Sequence, residues 1–499
     1  MAMPSAEPSM VRPQTERLQT GSGLAEADDA LAGAEFEALF RRQRAAFLAA
    51  GPSTCEARKA KLDRLHAVLL AEREALAQAI SGDFGHRSRH ETLFGEVVTT
   101  LSGIRHTAKH LRRWMAPERV SVNLPLKPAR AEIRRQPKGV VGIMSPWNYP
   151  VQLALLPLAQ AVAAGNRVML KPSEKTPKTS VLLRMLLAEV FEESEVAVVL
   201  GGPEVGAAFS RLPFDHLLYT GSTAIGRHVM RAAAENLTPV TLELGGKSPA
   251  IVAADADLAQ AAESIAYGKF LNAGQTCVAP DYVLVSADKR DAFSALLEAA
   301  VKKLYPTLAA NPDYTTVVDQ RHYARLKGYV AEVEAAGGRV VTLNPAAETL
   351  DAAARKFPPT LVIEPDPALV LMREEIFGPI LPIRGFADIE AAIGQVNAGP
   401  RPLALYYFGA EGAARDAVLA RTTSGGVAVN DTLLHVAVDD LPFGGIGASG
   451  MGAYHGRAGF DTFSHQKGVF YQSRLRLSRL SHPPYGRIAG LLLRFLIGK

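Results

Sequence analysis

Residues 139–177 read GVVGIMSPWNYPVQLALLPLAQAVAAGNRVMLKPSEKTP. An apolar run of strand length, GVVGIM, leads through SPWNYP into an apolar helical stretch, VQLALLPLAQAVAAG, and a second short run, RVML, follows. The alternation continues through TSVLLRMLLAEVFEE, VAVVLG, HLLYT, AIGRHVMRAAAEN and PVTLEL, ending at Leu244. Short apolar runs alternating with helices predict parallel βαβ units, an α/β fold with a doubly wound sheet. In such sheets ligands bind beyond the carboxyl ends of the strands, so the residues that follow each run carry the functional information.

Those exits are chemically rich. SPWNYP holds Asn148, KPSEKTP holds Lys171 and Glu174, GSTAIG opens with Gly221 and Ser222, and Glu243 sits inside the run before GGKSP. In YTGSTAIGRHVM, Gly221 lets backbone approach a ligand, Ser222 can bond a phosphate oxygen, and the next helix offers its positive N-terminus to an anion. Lys171 and Glu174 suit ribose hydroxyls. The pattern reads as a dinucleotide site in an unusual spelling.

Three competing motifs fail on context. GIGASG (Gly445–Gly450) spells the dinucleotide fingerprint but follows LPFG and not an apolar strand. GGKSP resembles the end of a P-loop, yet Thr241 stands where its first glycine is required. His86 and His90 are four apart without a third ligand, so no metal site is expected.

Working outward, RKAKLDRLHAVLLAEREALAQAI places Leu62, Leu65, Leu69, Leu76 and Ile80 at helical spacing, predicting one amphipathic helix. The stretch 118–137, ERVSVNLPLKPARAEIRRQP, alternates between prolines and predicts a protruding hairpin arm suited to subunit contact. At 499 residues with 48% hydrophobic content, the chain is long enough for two or three domains. Residues 1–33 carry neither a signal-peptide pattern nor an aromatic residue and predict a disordered tail. With a net charge of +5 and no nucleic-acid-binding motif, no nucleic-acid partner is expected. The positive balance comes from the end of the chain, where Arg474, Arg476, Arg479, Arg487, Arg494 and Lys499 occur without an acidic residue. IAGLLLRFLIGK is too short to span a bilayer, which needs roughly 20 apolar residues. It leaves two expectations, contact with an anionic lipid surface or packing against protein.

The two cysteines, Cys55 and Cys277, cannot make a disulfide framework, which predicts a reduced, cytoplasmic setting and a free thiol at Cys277. Cys277 lies in NAGQTCVAPDY (272–282), among backbone-permissive and amide-bearing neighbours that suit a site better than a core.

Taken together, SPWNYP, LKPSE, YTGSTAIG, TLELGGKSP, NAGQTCVAPDY, EEIFGP and LPFGGIGASGMGAYHG resemble the NAD(P)-dependent aldehyde dehydrogenase superfamily. The resemblance runs from about residue 35 to 475. It looks closest to the class 3 branch and, within it, to bacterial coniferyl aldehyde dehydrogenases. It implies a three-part fold: a Rossmann-like cofactor domain (34–117 and 137–243), a catalytic domain (244–435) and a small β oligomerisation arm (118–136 and 445–475), with a basic apolar tail over 476–499. By resemblance Cys277 is the nucleophile, and the Asn148 amide with the backbone N–H of Cys277 holds the oxyanion. Glu243 is the general base for thioester hydrolysis. Glu375 and Phe377 contact the nicotinamide ribose and ring, Lys171 and Glu174 the adenosine ribose, Gly221 and Ser222 the pyrophosphate, and Trp147 lines the cleft. Glu174 favours NAD by repelling a 2′-phosphate, with NADP as the alternative. The implied function is oxidation of an aldehyde, aromatic such as coniferyl aldehyde or medium-chain apolar, to the acid by a homodimer. The alternatives are a broad or long-chain fatty aldehyde dehydrogenase, a coenzyme A-acylating enzyme, or a non-catalytic membrane-associated protein.

Overall fold

The computed structural model describes residues 34–475, 479 and 482–498. The tail expected over 1–33 lies outside them. Strands β1 (Glu118–Val120) and β2 (Arg130–Pro137) make the antiparallel hairpin expected from the proline-broken segment. Then β3 (Val140–Met144), β4 (Arg167–Lys171), β5 (Val196–Val198), β6 (His216–Gly221) and β7 (Val240–Leu244) form a parallel sheet in the order β7-β6-β3-β4-β5. The chain builds outward from β3 through β5 and returns to β6 on the other side. The order therefore reverses between β3 and β6, whose carboxyl ends are Met144 and Gly221. A ligand crevice opens at such a reversal.

A second sheet holds β8 (Pro249–Val252), β9 (Tyr282–Ser286), β10 (Arg339–Thr342), β11 (Thr360–Ile363), β12 (Ile380–Phe386), β13 (Ala404–Phe408) and β14 (Gly426–Val429) in the order β10-β11-β12-β9-β8-β13-β14. All its pairs are parallel except β10 with β11. The predicted α/β, doubly wound class holds, and in these two large sheets antiparallel strands occur only at the edges.

The segment expected to lie wholly in the arm, 445–475, is divided. Strand β15 (Gly450–Met451) pairs antiparallel with Glu243 and Leu242 on β7, and the helix Gly456–Thr462 packs on the helices Gln152–Ala164 and Thr99–Met115. Only β16 (Ser464–Tyr471) joins the arm, pairing with β2 from Pro137 to Arg130. The physical reason is the open edge of β7, whose N–H and C=O groups need a partner. A glycine-rich strand can lie flat there, because a Cβ on Gly450 (φ 144°) would meet the Leu242 carbonyl oxygen at 2.1 Å.

The helix Gln152–Ala164 is buried at all thirteen positions, as expected of a helix apolar on every face. It is wedged among β3, the helix Thr99–Met115 and the helix Gly456–Thr462. The single helix expected over 58–80 is two helices, Cys55–Ala71 and Arg73–Phe84, interrupted at Glu72. Leu62, Leu65, Leu69, Leu76 and Ile80 are nevertheless all buried. The apolar end of the chain forms the helix Arg487–Ile497. Among the described residues no helix is long and apolar enough to cross a membrane.

Candidate active site

The site begins with the backbone before Cys277. After the helix Leu258–Phe270 the chain turns through Asn272 (φ 53°), Ala273 (φ 50°) and Gly274 (φ 72°), three successive residues in the left-handed region. For a non-glycine residue this costs about 1–2 kcal/mol, so the turn must be held from outside. Buried amides hold it. Gln275 Nε2 donates to the Asn272 carbonyl (3.0 Å) and the Thr316 carbonyl (3.0 Å), and its Oε1 accepts from Val318 N (2.9 Å). Asn272 Nδ2 donates to the carbonyls of Asn148 (3.2 Å) and Gln275 (3.1 Å). The tight turn aims Cys277, a free thiol, into the crevice at the carboxyl ends of the first sheet.

Most of the residues expected at the site converge on one cleft. Cys277, Asn148, Glu243, Trp147, Gly221, Ser222, Glu375 and Phe377 all line it. Lys171 and Glu174 stand further along the same strand edge, paired at 3.3 Å. Glu174 lines a separate depression with Pro172, Leu200 and Gly201 beyond the ends of β4 and β5. Ser222 caps the helix Thr223–Ala234, its Oγ accepting from Ile225 N (3.4 Å), and its side chain also bonds Tyr219. Trp147 sits edge-on to Phe377 (5.4 Å between ring centroids) and His322 (5.3 Å). His86 and His90 do not share a site, since His86 Nε2 contacts the Pro312 carbonyl and His90 faces Asp313. Among the described residues no group of three or more His, Cys, Asp or Glu side chains is placed to hold a metal ion.

The site is electrostatically unusual. Glu243 is buried, and among the described residues neither of its carboxylate oxygens has a hydrogen-bond partner; burial raises its pKa well above the ordinary carboxylate range. Burial, with Asp281 nearby, pushes Glu375 up to about 8, partly offset by the Gly246 N–H, Lys247 and Arg325. Burial pushes the Cys277 thiol up to about 12, and the carboxylates Glu375 and Glu243 add to the rise. A cleft containing two desolvated carboxylates and a neutral thiol favours an incoming positive charge.

Several supporting residues left no pattern in the sequence. Arg87 and Glu96 form an ion pair at 2.9 Å with both side chains fully buried. Arg87 Nη1 also donates to the Asn148 carbonyl (2.7 Å), and Glu96 Oε2 accepts from Val151 N (2.7 Å) and Gln152 N (3.2 Å). On the other wall Lys247 bonds Asp281 and donates to the carbonyls of Leu371 (2.7 Å) and Glu374 (2.9 Å). Asp281 Oδ1 accepts from Ile376 N (3.0 Å), which fixes the segment bearing Glu375 and Phe377. A Cβ on Gly245 would lie 1.9 Å from Glu375 Oε2, so glycine alone admits that carboxylate. Asp281 could have been noticed within the cysteine motif. Arg87 and Glu96 could not, because charges in a polar stretch of helix ends are ordinary.

Cys277, Leu153 and Phe443 also line a second cavity of about 500 Å³, walled largely by Phe94, Tyr149, Tyr267, Tyr305, Leu433 and Leu434. The thiol thus stands where a polar cleft along the sheet edge meets an apolar funnel.

Comparison with known proteins agrees with this geometry. Residues 13–469 match the aldehyde dehydrogenase family. A probable coniferyl aldehyde dehydrogenase of Caulobacter vibrioides is 52% identical over 454 residues, covering 90% of this chain and 94% of that protein. The coniferyl aldehyde dehydrogenase of a Pseudomonas species is 51% identical over 454 residues, with the same coverage. Among solved structures, the substrate-bound state of Staphylococcus aureus AldH superimposes with a TM-score of 0.87 at 37% identity, covering 92% of this chain and 99% of that one. A betaine aldehyde dehydrogenase of Staphylococcus aureus, solved with NAD+, gives a TM-score of 0.79 at 28% identity over 87% and 86% of the two chains.

Proposed function

The chain belongs to the aldehyde dehydrogenase family, and from that premise we propose that it oxidises an aromatic aldehyde of the cinnamyl type to the carboxylic acid with NAD. The observation that carries the reading is the position of Cys277 in the walls of both the polar cleft and the apolar funnel. Aldehyde and cofactor can thereby reach one thiol from two separate cavities.

The residues fit the cofactor. Among the described residues the Thr220 hydroxyl, buried in the cleft wall, has no partner, Gly245 leaves room beside Glu375, and the helix Thr223–Ala234 presents its N-terminus. Lys171 and Glu174 would hold the adenosine ribose, Ser222 the pyrophosphate, and Glu375 and Phe377 the nicotinamide end. When bound, NAD supplies the hydride acceptor. NADP is disfavoured by Glu174, the carboxylate beside the ribose position.

The chain's own residues then do the following. Cys277 Sγ, once ionised, adds to the aldehyde carbonyl to give a thiohemiacetal oxyanion. The Asn148 side-chain amide and the Cys277 backbone N–H hold that oxygen. Loss of hydride from the same carbon leaves a thioester on Sγ. Glu243 takes a proton from water as the water adds, the C–S bond breaks, and the acid leaves while Sγ regains its charge. A carboxylate with a raised pKa and no partner is suited to that proton transfer. The same free carboxylate supports water over coenzyme A as acyl acceptor. The aromatic wall of the funnel, including Phe94, Tyr267 and Tyr305, favours a ring over a long alkyl chain, as do the names of the relatives.

The test is reduction of NAD and NADP by full-length protein with aldehydes from short aliphatic to coniferyl aldehyde. A marked preference for cinnamyl aldehydes is expected. Preference for long-chain aliphatic aldehydes would keep the mechanism and overturn the substrate class.

For assembly we propose a homodimer. The free edge of β16, exposed over most of its length, supports pairing with a second copy through the arm. The helix Arg487–Ile497 exposes Ile488, Leu491, Phe495 and Ile497 beside Arg487 and Arg494, an apolar face with basic flanks that suits an anionic lipid surface. Vesicles containing phosphatidylserine should sediment the full chain and not one ending at Ser473. Equal failure of both would end the lipid reading.

A further inference from the structure

Two carboxylates stand in the wall of the apolar funnel, Glu91 and Asp313. The Asp313 side chain is 61% exposed at the rim, where water competes for it. Glu91 is partly covered and firmly placed. Ser88 caps the short helix Arg89–Thr92 through a bond from Glu91 N to Ser88 Oγ (3.3 Å), and Thr315 Oγ1 donates to Glu91 Oε2 at 2.6 Å. The Asn272 N–H in the turn before Cys277 also favours its charged form. Thr315 and Asn272 use two of the roughly four acceptor positions of a carboxylate.

Among the described residues no lysine or arginine lines this funnel, and His90 at its rim faces Asp313. The nearby Arg87 guanidinium meets Glu96 and the Asn148 carbonyl through Nη1, and it favours the charged form of Glu91 through space without lining the funnel. Burial in these surroundings raises the pKa of Glu91 to about 7. A carboxylate in an apolar cavity is unfavourable unless donors complete its shell, and the described wall supplies no cation for it. The remaining donor can come with the occupant.

We propose that Glu91 accepts a hydrogen bond from a hydroxyl on the ring of the aldehyde, so that the funnel selects phenolic aromatic aldehydes over their unsubstituted or O-methylated counterparts. This rests on the aromatic-aldehyde reading above. A site that bonds a substrate hydroxyl rejects the analogue lacking it far more strongly than an apolar pocket rejects a missing methylene.

The test compares kcat/KM of the full-length protein for p-hydroxycinnamaldehyde, p-methoxycinnamaldehyde and cinnamaldehyde, in the wild type and in Glu91→Leu and Glu91→Gln. The wild type should prefer the phenol. Glu91→Leu should lower kcat/KM for the phenol by about 10–100-fold, the range for a hydrogen bond to a charged group, and change it less than about threefold for the other two. Glu91→Gln, which keeps an acceptor and the Thr315 contact, should fall between. Equal loss on all three aldehydes in both variants would assign Glu91 to support of the Asn272 turn and overturn the proposal, as would an unchanged preference in Glu91→Leu. A wild type active on all three but indifferent to the hydroxyl overturns the Glu91 assignment alone. A wild type that oxidises only aliphatic aldehydes overturns the aromatic reading and this proposal with it.

Discussion

Asn148 Nδ2 donates to the carbonyl oxygen of Gln275 at 3.2 Å, two residues before the Cys277 thiol. An amide nitrogen carries two hydrogens, so one fixes the turn before Cys277 and the other remains for the pocket. The strand exit of one sheet is thereby tied to the loop feeding the other, with Arg87 and Asn272 holding the Asn148 carbonyl from behind. Asn148→Ala should reduce kcat/KM by about 10²–10³, the effect of losing one oxyanion donor, measured by steady-state kinetics.

Cys277 is a neutral thiol in the resting site, because burial and the carboxylates Glu375 and Glu243 push it up to about 12. In a Cys55→Ala background, alkylation by iodoacetamide without cofactor should rise about tenfold per pH unit from pH 7 to 10 with no plateau, since only the thiolate reacts. A plateau near pH 8 would mean that the resting site already stabilises the thiolate.

Glu243→Gln should release about one equivalent of reduced cofactor per subunit and then stall, because the thioester forms but is not hydrolysed. The same change should stabilise the fold. A carboxyl whose folded pKa is raised supports folding below its ordinary pKa and loses that support as pH rises through the folded value. The gain in Tm over wild type should therefore be near zero at pH 4 and reach about 2–4 °C at pH 9, by scanning calorimetry.

Arg87→Met leaves Glu96 buried without its charge partner. Chemical denaturation should show a loss of about 3–5 kcal/mol. Adding Glu96→Leu should recover part of that stability. It should not recover kcat, because the Asn148 carbonyl still lacks the Arg87 bond and the N–H groups of Val151 and Gln152 still lack Glu96.

Gly245→Ala places a methyl where Glu375 Oε2 now lies, 1.9 Å from the new Cβ. Glu375 must swing away. The expected result is a rise of about tenfold in KM for NAD, with loss of a single hydrogen-bonded contact as its energetic scale, and folding by circular dichroism unchanged.

Much of the first sheet is legible in the chain's own periodicity. The run GVVGIM and its successors form β3 to β7, and the exits bearing Asn148, Lys171, Gly221 and Glu243 lie on one edge. Parallel strands joined by helical crossovers all end on the same side, so order along the chain implies neighbourhood in space. The arm is legible in part. The hairpin at 118–137 announces itself through its prolines, whereas the division of 445–475 between β15 and β16 depends on which sheet edge is left open.

What the amino-acid sequence by itself determined is the periodicity of the elements, the edge on which the polar exits gather, and the residue types available there. What only the tertiary structure decided is how far each of those residues is removed from water. Glu243 is stripped of partners among the described residues, and burial pushes Glu375 up to about 8 and Cys277 up to about 12, because segments far apart in sequence close over them. Strand and helix periods are set by local backbone geometry, which a short stretch of chain already expresses. Desolvation depends on every group that displaces water from a site, and here those groups include Tyr454 and the turn at 272–274 as well as the β3 exit.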